Sequence, residues 1–199
     1  MINNIKQPTR ILTVAPLVLI TLSKILWMED YSLGQPFLWS AYIAETILIF
    51  YLIVENKTIH WFYSVILGLI GLGNIGSFFK LVHWPYAGVM VLAGLLGSIL
   101  MVPAFLYSAQ NQKNKNNRNV FLILGLCILV QLVLAVLSVK LYNLPVLTYG
   151  KFLHYPIAAM CGTILLKNES ENIGERNLIL YLLVHSLFVI IKQTFHLLT

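Results

Sequence analysis

Seven apolar stretches, each about as long as a bilayer is thick, leave this 199-residue chain little room for anything else. They run roughly over 10–28, 36–54, 60–82, 85–107, 119–142, 145–166 and 177–198. About 20 apolar residues in helical form cross about 30 Å of hydrocarbon. Lipid offers no partner to backbone N–H and C=O groups, so each stretch must be a helix. Charged residues are 10% of the chain, against about 25% in soluble domains, and this deficit excludes a core under a charged shell. The expected fold class is all-α: a polytopic membrane protein of seven transmembrane helices arranged as tandem hairpins in a single domain, 1–199. The hairpins cover about 10–54, 60–107 and 119–166, and a final helix follows at 177–198.

The formal net charge is +6. Its basic residues are scattered among loops, which fits anionic lipid headgroups and gives no nucleic-acid patch. Lys6, Arg10, Lys57, Lys113, Lys115, Arg118, Lys167 and Arg176 fall on the side of the N-terminus. Lys24, Lys80, Lys140, Lys151 and Lys192 fall on the other. Eight against five places the N-terminus in the cytoplasm and the C-terminus outside, in a bacterial inner membrane. No small-x-small cleavage site follows the basic start, so the first span is expected to be a retained signal-anchor. Two glycosylation sequons, at Asn56 and Asn168, fall on the cytoplasmic side and are discounted. Cys127 and Cys161 lie within spans and lack metal-ligand spacing. Trp27, Trp39 and Trp84 lie at outer span ends and Trp61 at an inner one, as an aromatic belt requires. Glycines gather in the third and fourth spans, which predicts a close-packed hairpin.

Lys24, Lys80, Lys140 and Lys192 recur in the outer parts of the odd-numbered spans, 56, 60 and 52 residues apart. Pro85 follows Lys80 by five positions, and Pro145 follows Lys140 by five; in the first hairpin the loop is longer and Pro36 comes later. Such spacing is a mark of duplicated helix-loop-helix units. Independent snorkelling of each lysine to the headgroups gives the same pattern without duplication. Proline suits the first turn of the returning helix, and Lys80 is expected to donate to the carbonyls that end the third span.

The clearest copy reads Phe79-Lys80-Leu81-Val82-His83-Trp84-Pro85, then Ala87-Gly88 and an apolar helix. With the glycine-rich helix before it, this segment, about 68–107, resembles the membrane hairpin of the GldL family of the Bacteroidota gliding-motility and type 9 secretion motor. The resemblance implies a component of a proton-driven membrane assembly, with other membrane proteins or further copies of itself as partners. Lys80, His83, Trp84 and Pro85 carry the motif. The family's motor glutamate has no counterpart, since 85–107 contains no acidic residue.

Glu45 is the one carboxylate deep within a span, and an ionisable group at that depth is a functional candidate by default. His185 and His154 lie at similar depth, and Gln131 and Asn74 close to it. A glutamate–histidine pair can relay protons, so a second function is open: a small proton-linked transporter or channel using Glu45 with His185 or His154. An inter-helix hydrogen bond that holds the bundle together is the structural alternative. Lys24 is another potential partner for Glu45, across their shared hairpin. No hydrolase, metalloprotease, paired-aspartate or Cys-x-x-Cys motif appears. An enzyme is therefore the third reading. No metal or other cofactor is implied: the five histidines are scattered in depth, and the third span lacks the acidic counter-ion a retinal site needs.

Overall fold

A computed structural model of the protein describes residues 7–29, 31–55, 61–112, 115–140, 152–167 and 173–194. Among them are seven helices and no strand: α1 (Gln7–Glu29), α2 (Tyr31–Glu55), α3 (Trp61–Leu81), α4 (Ala87–Asn111), α5 (Lys115–Lys140), α6 (His154–Lys167) and α7 (Ile173–Thr194). Six are long and apolar enough to cross a membrane. The exception is α6, whose 14 residues rise about 21 Å. Pro156 sits in its first turn, where the missing N–H leaves the carbonyl of Phe152 without that partner. The first part of the expected sixth span, the turn from Lys140 to Pro145, both sequons, His60 and His196 lie outside the described residues.

Lipid is the solvent of the outer surface. Ile11, Val14, Val18, Leu22 and Ile25 recur every three or four residues on α1 and are all exposed. The same helix turns Thr9, Ser23 and Lys24 inward. On α2, Ile43, Ile47, Phe50 and Val54 face out while Glu45 is fully buried. Apolar patches on this scale are not tolerated by monomeric proteins in water, whereas in hydrocarbon they cost nothing.

Consecutive helices pack as antiparallel neighbours, and α5 leans mainly on α4. The last helix then inserts among the first three: α7 touches α1, α2 and α3 besides α6. It is the most enclosed helix, with 61% of its apolar span buried against 22% in α1 and α4. The larger apolar core fills the half of the bundle that holds the C-terminal end of α2 and the N-terminal end of α3, around Leu52, Ile66, Phe105, Phe121 and Leu178. A small cluster of Ile20, Leu38, Ala41 and Phe188 closes α1, α2 and α7 together at the other end.

The α3–α4 hairpin is held by backbone contact. A Cβ at Gly73 would lie 2.5 Å from the Gly94 Cα, and one at Gly76 would lie 2.6 Å from the Met90 Cβ. Only glycine permits this approach, and in lipid dispersion across such a seam drives helix pairing. The first hairpin uses the same device differently. Asp30 alone separates α1 from α2, and Gly34 packs so close that a Cβ would stand 2.7 Å from the Ser23 carbonyl. Ser23 donates its hydroxyl to the Gly34 carbonyl at 2.8 Å. The expected longer loop is therefore not there: α2 starts five residues before Pro36, which lies within it.

The turn after α3 also differs from expectation. The Trp84 N–H donates to the Phe79 carbonyl at 2.9 Å and the His83 N–H to the Lys80 carbonyl at 3.3 Å. His83 takes a left-handed conformation, φ 57°. This is a Schellman cap, and its usual apolar clasp is present as the Phe79–Trp84 ring contact, 4.6 Å between centroids. Backbone N–H groups thus satisfy the carbonyls assigned to Lys80, whose side chain is exposed. Pro85 stands outside α4, ahead of Tyr86, the residue that caps its start.

Candidate functional site

The site is built on one face of α7. Tyr181, His185 and Lys192 are spaced by four and seven residues, so they line up along the helix. All three border a cavity of about 590 Å³ enclosed by α2 to α7. It lies toward the C-terminal ends of the odd-numbered helices and adjoins the larger apolar core, with which it shares Ile70, Ile128 and Leu182. Most of its wall is apolar, from Ile70, Leu95, Ile128, Leu182 and Phe188 among others.

Glu45 and His185 meet on this wall. Nδ1 of His185 lies 2.7 Å from Oε1 of Glu45. The glutamate is fully buried, while 36% of the histidine side chain remains accessible. An ionised Glu45 only accepts hydrogen bonds, and Nδ1 is then the donor of the pair. Tyr181 lies against the same carboxyl group and stacks on the His185 ring, 5.7 Å between centroids. The second carboxyl oxygen, Oε2, is buried without a hydrogen-bond partner among the described residues.

His154 stands next in line. Its ring lies edge-on to His185 with 5.9 Å between centroids. Nε2 of His154 is 2.7 Å from the Gln131 amide nitrogen, and its Nδ1 is 3.5 Å from the Ser186 hydroxyl. Of the two histidines expected near Glu45, His185 makes the contact and His154 stands behind it. Asn74 does not join this chain. Its amide donates to the Tyr42 carbonyl at 3.2 Å and the Thr46 hydroxyl at 2.9 Å, clipping α3 to α2.

The repeated lysines do not form one set. Lys192 donates to the Tyr42 hydroxyl at 3.0 Å on the cavity wall. Lys24 is buried, sits over the Trp27 ring at 5.0 Å and lies within electrostatic range of Lys192. It is therefore not the partner of Glu45: its ammonium lies over Trp27 of its own helix, and α7 supplies the histidine instead. Lys80 projects outward at the end of α3 together with exposed His83, Trp84 and Pro85. Lys140 closes α5, and its side chain lies outside those described.

Three contributors were not singled out from the sequence: Tyr42, Tyr181 and Ser186. Tyr42 precedes Glu45 by three residues and Tyr181 precedes His185 by four. Polar residues at helical spacing from an intramembrane ionisable group were the available signal. No protein-family model, curated protein or solved structure matches the chain, so its function is argued from geometry alone.

Proposed function

We propose that this protein is a small proton-linked membrane carrier in which the Glu45–His185 pair exchanges a proton with the cavity. The observation behind it is the 2.7 Å contact between a fully buried carboxylate and a half-exposed imidazole on the cavity wall. With one proton, on Nδ1, the pair carries a net charge of −1. A second proton, taken at Nε2 from the cavity, makes it neutral. Such a change of charge, far from bulk water, shifts the balance between conformations or ligands. The larger apolar core closes the bundle beyond the cavity, so in this conformation the cavity serves one side. With the N-terminus in the cytoplasm of a bacterial inner membrane, that side is the outer one.

Proteoliposomes with an internal pH dye test this. On external acidification in the presence of candidate solutes, wild-type vesicles should show excess proton flux, and Glu45→Gln and His185→Phe vesicles should match empty ones. Equal flux in wild-type and Glu45→Gln vesicles would sink the carrier reading.

A second reading keeps the chain as a component of a membrane assembly, through the segment that resembles the GldL hairpin. It is favoured by the exposed turn: Trp84 and Tyr86 are 59% and 80% accessible, beyond what a bare turn requires. Co-purification of larger membrane partners, lost when Trp84 and Tyr86 become serine, would support it.

A further inference from the structure

The cavity lies beside the lipid-facing surface of α4 and α5. A second, apolar groove of about 430 Å³ runs along the lipid side of α4 and α5. Leu95 of α4 and Leu132 of α5 line both spaces. These two side chains are therefore the partition between the cavity and the lipid-facing groove. Toward one end α4 and α5 are in ordinary contact: a Cβ at Gly125 would lie 3.6 Å from the Phe105 Cβ and 3.8 Å from the Val102 carbonyl, and the Phe105 and Phe121 rings lie 6.3 Å apart. Further along, Leu95 and Leu132 stand between the two spaces. Along α4 the two spaces run side by side: Val91, Ser98 and Met101 line the cavity, Ile99, Val102 and Pro103 line the groove, and Leu95 lines both. From Val91 to Pro103 they span about 18 Å at the helical rise.

The charges lining the cavity are unequal. Among the described residues Glu45 is the only carboxylate lining it, and it is engaged by His185. Lys192 lies on the wall near the bundle end, with Lys24 in electrostatic range behind it. Lys192 has given one hydrogen bond, to Tyr42, and an ammonium has three to give. A cation near the bundle end of a largely apolar cavity, with an apolar groove behind two shared leucines, is complementary to one kind of molecule.

We infer that the cavity takes a single-chain amphiphile with an anionic head, which enters from the bilayer between α4 and α5. The head sits on Lys192, and the tail leaves past Leu95 and Leu132 into the groove toward Pro103. The inference rests on the proposed role of the cavity as a ligand site, and it names the class of ligand.

Photoreactive palmitate, incorporated with the purified full chain into neutral phosphatidylcholine vesicles, tests it. Label should concentrate on the α4 and α5 residues of the groove and on α7 near Lys192. Unlabelled palmitate should compete, while hexadecanol and hexadecylamine should not. Lys192→Gln should lower the labelling about tenfold, the weight of one charge-assisted hydrogen bond. Leu95→Trp with Leu132→Trp should abolish labelling of α7 while sparing the groove. The competition uses the unaltered chain and does not depend on a variant folding. Label spread evenly over exposed faces such as that of Ile11 and Val14 would overturn the inference. So would equal competition by hexadecylamine. Specific labelling without any Glu45-dependent proton flux would leave the inference standing and remove the carrier reading. Proton-coupled flux of a water-soluble solute with no specific labelling would do the reverse.

Discussion

His185 and Glu45 lie 140 positions apart in the chain and 2.7 Å apart in the structure. The contact exists because the last helix inserts among the first three and does not stay at the edge of the bundle. It ties the two ends of the chain together at mid-bundle depth, where water is scarce and each unmet charge is costly.

Removing the carboxyl should therefore be felt in stability as well as in proton exchange. Glu45→Gln keeps the shape and a hydrogen-bond acceptor, so it should cost about 1.5–3 kcal/mol, the weight of a charge-assisted bond. Glu45→Ala also leaves a void and strands His185, and should cost about 3–5 kcal/mol. Thermal unfolding in detergent, followed by circular dichroism, ranks the variants. Wild-type stability in Glu45→Ala would mean that the pair does not hold α2 to α7.

The glycine seam offers a graded test. Gly73→Ala places a Cβ 2.5 Å from the Gly94 backbone, and should cost about 1–3 kcal/mol by forcing α3 and α4 apart. Nothing lies within 4 Å of a Cβ at Gly88, so Gly88→Ala should be neutral or raise stability by up to about 1 kcal/mol through helix propensity. The same unfolding assay separates the two. Equal effects would disprove the close approach.

At the end of α3 the cap is made by backbone. His83→Gly should be tolerated, because glycine adopts the left-handed conformation freely. His83→Val should cost about 1–2 kcal/mol, since a β-branched residue resists it. Lys80→Ala should change stability by less than about 0.5 kcal/mol, as expected of an exposed side chain away from any cap bond. Were Lys80→Ala the most harmful of the three, the lysine and not the Schellman turn would be holding the hairpin.

The exposed apolar stripes of α1 and α2 predict fractionation. After alkaline washing of membranes the chain should remain in the pellet, and folded protein should be recovered only with detergent. Its appearance as a folded monomer in the aqueous wash would contradict lipid as its solvent.

Several features were legible without coordinates. Helix positions followed from apolar length, with α2 starting at Tyr31, five residues before the expected 36, and α5 and α7 starting four residues before the expected 119 and 177. The glycines of the third and fourth spans did mark a close-packed seam. The depths of Glu45, His185 and His154 could be counted along the helices. The pairing was not legible: Lys24, His154 and His185 were all eligible partners for Glu45 by depth.

Sequence alone determined the solvent, the helical state of the chain and the level of each polar group, because hydrocarbon thickness and backbone hydrogen bonding act on segments one at a time. Tertiary structure alone decided that α7 lies inside the bundle, that His185 and not Lys24 reaches Glu45, and that a cavity opens beside them. In lipid one apolar face solvates as well as another, so hydropathy carries no record of which faces meet. That choice is made by where two backbones can approach, as at Gly73 and Gly94, and by which buried polar groups can satisfy each other.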